Sequence, residues 1–474
     1  MKLRVFRKEH RTKNRTAAVR DREANRGDGP TPAATIIPTT NGIETFRIII
    51  IAKIGINFVF LSSFQEQNSN SIMIILVINC GSSSVKYQLL DMKDDENYSL
   101  LAKGLVEKIG LPEGTITHKP TGKDPVVKDL PIPDHKLGMK LVLDALVDPE
   151  HGVLKSFDDI DAVGHRIVQG ADYFSGSALV NDDVIKKIEL CCDFAPLHNP
   201  AHLLGIHAIS AVLPSVPQVV TFDTAFHQTM APHAYLYALP YEYYEKYRVR
   251  RYGAHGTSHQ FVSRHGAKFA GLDLENSRII TCHIGNGSSV TAIKDGKCVD
   301  TSMGFTPLEG MIMGTRCGII DANIVPYIMK KENLTPDEMT NIMNKKSGFL
   351  GLSGESSDMR DMIRLSAEGH ERAKIVFDKL VHDIVKLVGG YIAELNGVDL
   401  IIFTAGIGEN NAVLRRRVCE QLSFMGVKID NAANEKPHGD TMISTADSTV
   451  KVAMIPTDEE LVIARDTMHI ASAQ

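Results

Sequence analysis

The chain has 474 residues, of which 43% are hydrophobic and 23% charged, and it contains no tryptophan. This composition excludes a fibrous or intrinsically disordered protein, and the length predicts two domains with separate cores. Residues 1–72 hold 12 Lys and Arg against 6 Asp and Glu, which leaves 40 against 51 in residues 73–474 and a total formal charge of −5. The acidic body argues against nucleic acid as a partner.

Residues 1–30 are rich in Arg and Lys and have almost no apolar periodicity, which predicts disorder. Isoleucine is frequent between Phe46 and Leu61, but Lys53 and Asn57 interrupt that segment, so it falls short of the ~18 apolar residues of a membrane span. The segment also lies too far from the terminus for a signal peptide. We favour translation from Met73, with residues 1–72 as a mis-assigned leader, over a genuine tail or anchor.

From Met73 onward, short β-branched runs alternate with helical patterns, which predicts an α/β fold. A helix is predicted over residues 373–395, where apolar residues recur at three- and four-residue spacing, and a tight turn at Asn396 and Gly397 follows it. The predicted strands are residues 74–78, 162–164, 219–222, 279–284 and 400–404.

The seven cysteines are scattered and form no CxxC pair, which argues against a disulfide framework and a zinc ribbon. We therefore expect a protein of the reducing cytoplasm.

A strand, Gly-Ser turn, strand pattern occurs twice in the chain. Residues 77–85 read VINCGSSSV, and residues 283–290 read HIGNGSSV. This repetition indicates a duplicated two-domain fold that closes on a nucleotide. Within Asn79–Lys86, glycine, hydroxyls and a lysine at a strand end are suited to phosphate, although a serine-rich hairpin turn explains this segment alone equally well. The second turn favours phosphate binding.

A third glycine-containing segment, residues 403–410, also follows an apolar strand. It begins like GxGxxG, but Asn411 occupies the third glycine position, so the dinucleotide fingerprint is incomplete. We expect a glycine turn beside a purine ring or a ribose. The chain has no GxxxxGK[ST] loop and no HRD or DFG set, which excludes a Walker-type phosphate site and a protein kinase.

Charged residues stand at predicted strand ends. Arg166 and Arg316 lie in Gly- or Thr-containing segments, and arginine there is suited to bidentate capture of a carboxylate or phosphate. Asp223 closes an apolar strand, where α/β sheets face their ligands. His255 and His259 are spaced like a helical zinc pair, but the Gly and Thr between them predict a loop, so we expect a histidine that donates to developing charge instead.

These motifs, in order and at matching spacing over residues 73–474, resemble the acetate kinase family. The resemblance implies an actin-like (ribonuclease H-like) α/β fold of two duplicated domains, residues 73–227 plus 461–474 and residues 228–460, with the nucleotide in the cleft between them. It implies reversible phosphoryl transfer from ATP to acetate, giving acetyl phosphate and ADP, and a homodimer. The segments that carry it are residues 79–87, 164–166, 222–227, 255–259, 301–316 and 456–460.

Carried over position by position, the resemblance implies a Mg²⁺ site at Asn79 and Glu459, with Mn²⁺ as a substitute metal. Its catalytic residues are Asp223, His255, Arg316 and Arg166. Its substrate-binding residues are Arg166, Val168, Leu197 and Pro307. The residues implied to bind ATP or ADP are Lys86, His283, Ile284, Gly285, Asn286, Gly287, Asp358, Met359, Arg360, Gly406, Ile407, Gly408, Glu409 and Asn410.

Acetate is ionised at neutral pH and offers no proton, so we expect Asp223 to position a metal or the nucleophile instead of acting as a base. Ala254 stands where some members of the family have phenylalanine, beside the implied methyl pocket, which leaves propionate and butyrate open as substrates. An actin-like nucleotide switch is the alternative from another class, although such a protein has no use for a carboxylate grip by Arg166 and Arg316.

Overall fold

A computed structural model describes residues 72–196 and 198–474. The predictions for residues 1–71 and for Leu197 lie outside the described residues.

The described residues form two β-sheets and their covering helices. The strands are β1 (Met73–Cys80), β2 (Ser84–Met92), β3 (Tyr98–Glu107), β4 (Gly114–Pro120), β5 (Val126–Leu130), β6 (Ala162–Ile167), β7 (Ala178–Leu179), β8 (Gln218–Phe222), β9 (Arg278–Ile284), β10 (Ser288–Lys294), β11 (Lys297–Thr301), β12 (Leu400–Thr404), β13 (Thr441–Met442) and β14 (Lys451–Met454).

The helices are α1 (His135–Leu146), α2 (Asp182–Leu190), α3 (Asn199–Val212), α4 (Pro232–Tyr235), α5 (Glu242–Tyr247), α6 (Gly256–Phe269), α7 (Ile324–Glu332), α8 (Pro336–Lys345), α9 (Gly348–Ser353), α10 (Met359–Ala367), α11 (Glu371–Glu394), α12 (Ala405–Asn410), α13 (Ala412–Gln421), α14 (Asn431–Glu435) and α15 (Glu459–Ala471). Short 3₁₀ turns lie at Phe157–Asp159, Cys191–Asp193, Ala225–Thr229, Leu274–Asn276 and Ser423–Met425.

The two sheets repeat one topology. In the first, the order β3-β2-β1-β6-β8-β7 combines an antiparallel meander, two parallel neighbours and an antiparallel edge strand, and β4 and β5 extend the meander. The second sheet repeats this pattern in the order β11-β10-β9-β12-β14-β13. The Gly-Ser turns of the internal sequence repeat join β1 to β2 and β9 to β10. The structure confirms the predicted duplicated α/β fold.

Helices α6 and α15 lie between the two sheets. α15 packs against β1, β6 and β8, whereas α6 packs against β9 and β12. Apolar side chains of both sheets and both helices form one buried cluster that includes Val77, Ile402, Val262 and Ile463. Because β8 and β12 are buried along their whole length, their apolar sequences run without alternation, as expected of strands covered on both faces.

Most of the predicted elements are confirmed. The five predicted strands are β1, β6, β8, β9 and β12, and the predicted long helix is α11. Asn396 and Gly397 have φ of 55° and 120° and form the predicted turn. All seven cysteines are free. Among the described residues, no helix is both long and apolar enough to cross a membrane. The division into domains at residues 227/228 and 460/461 stays a prediction.

Two local predictions are wrong. Residues 256–259 begin helix α6 instead of forming a loop, since His255 takes a left-handed conformation (φ 57°) that turns the chain directly into the helix. Residues 405–410 form the short helix α12 instead of a glycine turn. In both segments the glycines lie in the first turn of a helix, where packing against neighbouring strands outweighs their low helix propensity.

Candidate active site

The β1–β2 hairpin brings an amide and an ammonium group side by side. Asn79, near the end of β1, pairs directly with Lys86 on β2. Since β1, β6 and β8 are parallel, their carboxyl ends meet at one edge, where Arg166 and Asp223 also lie. Asn79, Lys86, Arg166 and Glu459 line one cavity of about 400 Å³, which we call the arginine cavity.

Arg166 is held in a forked ion pair with Asp223. Its Nη2 lies 2.5 Å and its Nε 3.3 Å from the two carboxylate oxygens of Asp223, which is 1% exposed. Thr257 donates to the same carboxylate at 3.0 Å, and Arg166 Nη1 approaches Asn79 Oδ1 at 3.5 Å. The guanidinium is therefore fixed in direction, with its Nη1 edge toward Asn79.

Glu459 begins α15 beside this pair, with Oε2 3.7 Å from Arg166 Nε. Burial raises the pKa of Glu459 to about 7, against the opposing charge of Arg166. Asn79 and Glu459 offer only oxygen donors, which suits Mg²⁺, a hard cation that keeps water and phosphate oxygens and needs only one or two protein carboxylates. Within residues 72–196 and 198–474 no cluster of three His, Cys, Asp or Glu side chains could hold a metal by itself.

Two stacked histidines also line the arginine cavity. The rings of His255 and His283 lie 4.0 Å apart at 20° to each other. His255 Nδ1 lies 2.8 Å from Ser289 Oγ, and His283 Nδ1 lies 2.8 Å from Ser258 Oγ. Burial, followed by the nearby charges, lowers the pKa of His255 well below its usual value, and burial lowers that of His283 to about 4. Both rings are neutral hydrogen-bonding groups near pH 7.

The zinc interpretation fails for a structural reason. Both ring nitrogens of His259 are already hydrogen-bonded inside the protein, to Thr281 and to Ser289. His259 is fully buried. It therefore has no free nitrogen for a metal.

Arg316 is the second arginine of the cleft. Its Nη1 donates to the Pro307 carbonyl at 3.1 Å. A Cβ atom placed on Gly287 would lie 3.3 Å from this Nη1 and 3.7 Å from Nε2 of His255, so both groups lie beside Gly287. Among the described residues it has no carboxylate partner, and burial lowers its pKa. Its remaining donors are therefore available to an anion.

Eight of the fourteen residues predicted to bind the nucleotide line a second cavity, of about 730 Å³, which we call the nucleotide cavity after this prediction. Its wall consists of the β9–β10 turn and the segments around the starts of α10 and α12. Asp358 caps α10 by accepting from Arg360 N at 2.8 Å. The predicted residues that line this cavity are Gly285, Asn286, Asp358, Met359, Arg360, Gly406, Ile407 and Asn410.

Other predicted nucleotide residues lie elsewhere. Lys86, His283 and Gly287 line the arginine cavity. Ile284 is a fully buried core residue of β9. The carbonyls of Gly408 and Glu409 accept from the buried Arg415, and the Glu409 carboxylate accepts from Ala405 N at 2.8 Å. Gly408 and Glu409 thus hold helix α12 in place, and neither they nor Ile284 are among the lining residues of the two cavities.

Sequence reasoning missed several residues. Ser357, Ile363 and Asn411 also line the nucleotide cavity. Ile363 lies one helical turn from Met359 and Arg360 on α10, so helical periodicity could have indicated it. Asn411 Nδ2 is buried and has no hydrogen-bond partner in the part of the chain that the structure describes. His198, whose pKa is lowered by burial and by the charges of Arg166 and Arg316, had no sequence signal.

Of the residues predicted to form the methyl pocket, Val168 and Pro307 lie within the described residues, as does the neighbouring Ala254. Val168 lies two residues after Arg166 and is 7% exposed, and Pro307 touches Arg316. Ala254 packs with Met303 and Met313, all three buried. Flexible methionine side chains thus occupy the space around the small Ala254.

Comparison with known proteins gives consistent matches. Residues 74–465 match the model of the acetokinase family. An acetate kinase of Agathobacter rectalis is 54% identical over 84% of this chain and 100% of its own length. A crystal structure of Porphyromonas gingivalis acetate kinase is 46% identical with a TM-score of 0.80, covering 84% of this chain and 99% of that one. A propionate kinase structure from Francisella tularensis is 41% identical with a TM-score of 0.78, covering 84% and 100%. This chain belongs to the acetokinase family.

Proposed function

We propose that the chain catalyses reversible, Mg²⁺-dependent phosphoryl transfer from ATP to acetate, giving acetyl phosphate and ADP. As a member of the acetokinase family it is a phosphotransferase with a carboxyl group as acceptor. One observation carries the assignment: the nucleotide cavity and the arginine cavity share Gly285, Asn286 and Gly406. A nucleotide in the first cavity can therefore extend its phosphates past this shared wall toward Arg166 and Arg316.

The residues divide the task by position. The start of α10 and the segment after β12 would hold the base and ribose, while Lys86 and the β9–β10 turn would hold phosphates. Asn79 and Glu459 would hold Mg²⁺, with Mn²⁺ as a substitute; the metal, when bound, neutralises phosphate charge. Val168, Leu197 and Pro307 would surround the methyl group of the acid.

Transfer of a phosphoryl group spreads negative charge over its equatorial oxygens, and fixed donors stabilise that charge. Arg166 would orient the acetate carboxylate, since its guanidinium is already fixed by Asp223. Arg316 and His255 would donate to the phosphoryl oxygens from the same side of the cleft. Asp223 then acts by holding Arg166, which agrees with the absence of a proton to remove from acetate.

The decisive experiment is a hydroxamate assay of acyl phosphate with Mg²⁺-ATP and acetate, propionate or butyrate. We expect product from acetate, and its loss in Arg166→Ala. Binding of ATP without acyl phosphate from any acid would refute the proposal and favour a nucleotide switch.

Propionate is a second candidate substrate, because Ala254 is small and its buried neighbours, Met303 and Met313, are flexible side chains that can rearrange for a longer acid. One extra methylene changes discrimination by only ~1–3 kcal/mol. We expect kcat/KM for propionate to lie within about 200-fold of that for acetate, the limit which such a difference sets. Ala254→Phe should suppress propionate selectively, and equal loss with both acids would contradict this role.

We also propose a homodimer in the cytoplasm. Four large apolar or aromatic side chains between α4 and the end of α5 are exposed: Leu239 (55%), Tyr241 (58%), Tyr243 (40%) and Tyr247 (61%). A face of this kind suits a second copy of the chain. Light scattering should give twice the chain mass, and Tyr241→Lys with Tyr247→Lys should give monomers; a wild-type monomer would exclude the dimer.

A further inference from the structure

A chain of buried polar groups connects His255 to the interior of the second sheet. Ser289 Oγ lies 2.8 Å from His255 Nδ1 and 2.7 Å from His259 Nε2. His259 Nδ1 in turn lies 2.6 Å from Thr281 Oγ1. Ser289, His259 and Thr281 are fully buried, so water does not compete for these contacts. This chain of hydrogen bonds begins at Thr281 on β9 and ends at His255, which lines the arginine cavity.

The hydrogens of this chain can be arranged in two ways only. A hydroxyl carries one hydrogen, and a neutral imidazole has one donor and one acceptor nitrogen. Ser289 therefore donates to one of the two histidines and accepts from the other. In the first arrangement Thr281 donates to His259, His259 donates to Ser289, and Ser289 donates to His255. In the second arrangement His255 donates to Ser289, Ser289 donates to His259, and His259 donates to Thr281.

The two arrangements differ in their satisfied groups. If His255 donated from Nδ1, His259 would donate to Thr281, and the Thr281 hydroxyl hydrogen would have no acceptor among residues 72–196 and 198–474. A buried donor without an acceptor costs free energy. The Nε2 lone pair of His255 would also face the anionic ligands that Arg316 attracts. With the hydrogens directed toward His255, every hydrogen of this chain that lies inside the protein has an acceptor, and the remaining one, on Nε2 of His255, belongs to a residue that lines the arginine cavity.

We propose that Thr281, His259 and Ser289 act as positioning residues that fix His255 in the tautomer with its hydrogen on Nε2, aimed into the cleft. This inference rests on the proposed function, because the acceptor of that hydrogen is the transferred phosphoryl group. Burial lowers the pKa of both His255 and His259 well below the usual value, so both rings are neutral at the pH of the assay. A neutral ring needs its tautomer fixed to be a donor at one particular atom.

The tautomer can be read directly by ¹⁵N-¹H correlation spectra of ¹⁵N-histidine-labelled full-length protein, which separate protonated from bare ring nitrogens. The signals of His255 are those that disappear in His255→Asn. We expect hydrogen on Nε2 in the wild type. Hydrogen on Nδ1 would overturn the proposal, whatever the activity.

Three substitutions within this hydrogen-bond network test the proposal, and they differ in their expected results. Ser289→Ala removes the donor to His255, so we expect a mixture of tautomers and a fall in kcat of about tenfold, with KM for ATP and acetate within about twofold. His259→Gln keeps an acceptor for Thr281 and a donor for Ser289, so the Nε2 tautomer and kcat within about threefold of wild type should persist. His259→Leu offers neither a donor nor an acceptor, so it should lose both the Nε2 tautomer of His255 and the wild-type kcat.

The matched control is Ser263→Ala, which removes a buried hydroxyl of α6 that bonds Gln260 O at 3.1 Å and takes no part in the chain. It should leave the tautomer and kcat unchanged. An unchanged His255 tautomer in Ser289→Ala would also overturn the proposal. If the wild type makes no acyl phosphate but shows the Nε2 tautomer, the proposed function fails while the hydrogen-bond assignment stands.

Discussion

Arg166 and Arg316 face the same cleft but are held in different ways. Arg166 is paired with the buried carboxylate of Asp223, whereas the Arg316 side chain donates hydrogen bonds only to a carbonyl and the Met313 sulfur among the described residues. The protein fixes the direction of one guanidinium and leaves the donors of the other for ligand. Their removal should therefore affect stability differently.

Arg316→Ala should lower kcat by about 10³ with little change in the free energy of unfolding, because no charge is left without its partner. Coupled-assay kinetics and urea unfolding measure the two effects, and ATP affinity should be retained. Arg316→Lys keeps the charge without the planar fork and should be intermediate. Unchanged kcat in the alanine variant would remove Arg316 from the site.

Arg166→Ala should destabilise the fold by about 3 kcal/mol as well as abolish turnover, since it leaves the Asp223 carboxylate buried and unpaired. Urea unfolding measures the loss. Adding Asp223→Asn in the same chain should restore most of the stability but none of the activity. Equal stability of the single variant and wild type would show that the ion pair is not structural.

At the scale of elements, the start of α6 is built on a close backbone contact. Gly256 N donates to the Asp223 carbonyl at 2.9 Å, and a Cβ at Gly256 would lie 2.1 Å from that oxygen. This contact joins the end of β8 to the turn that carries His255. The glycine that suggested a loop is thus required by packing between two elements.

Gly256→Ala should cost about 1–3 kcal/mol of unfolding free energy through overpacking and should lower kcat by displacing Asp223 or His255. Thermal unfolding and kinetics test both effects. Gly389→Ala in α11 is the matched control: a Cβ there meets nothing within 4 Å, so it should be neutral or stabilising by about 0.5–1 kcal/mol. Wild-type behaviour of Gly256→Ala would contradict the close contact.

At the scale of the whole molecule, both sheets bury histidines that stay neutral. Burial lowers the pKa of three histidines to about 4: His165 in strand β6 of the first sheet, His227 in the 3₁₀ turn after β8, and His283 in strand β9 of the second sheet. The unfolded chain takes up these protons near pH 6.5, before the folded chain does. The stability they support is complete above that pH and is lost as the pH falls toward 4. Glu459, with its raised pKa, acts in the opposite direction.

Comparing the pH dependence of the unfolding free energy between wild type and a variant isolates the contribution of one histidine from that of the other groups. His165 Nε2 donates to Gln218 Oε1 at 2.8 Å, and His165→Gln offers an amide donor there without titrating. Between pH 6.5 and 4, the unfolding free energy of the variant should fall less steeply with pH than that of wild type. The difference in slope should correspond to the uptake of at most one proton on unfolding. Parallel pH profiles in urea unfolding would show that His165 does not titrate differently in the two states.

The resemblance to the acetate kinase family was apparent from short motifs, because phosphate-binding turns and strand-end charges are local patterns that keep their order and spacing. Periodicity predicted β12 and α11 for the same reason: burial of continuous apolar runs and of a helical stripe is written along the chain. The segment after β12 was predicted only in part, since Gly406 lines the cavity whereas Glu409 turns back to its own helix.

By itself, the sequence determined the duplicated α/β fold, its five central strands and the family. Only the tertiary structure decided which side chains meet. Arg166 pairs with Asp223, 57 residues away, and Ser289 bonds His259, 30 residues away. Such contacts depend on strand order, register and the packing of α6 and α15 between the sheets. No local pattern encodes these features, because each is set by burial summed over the whole molecule.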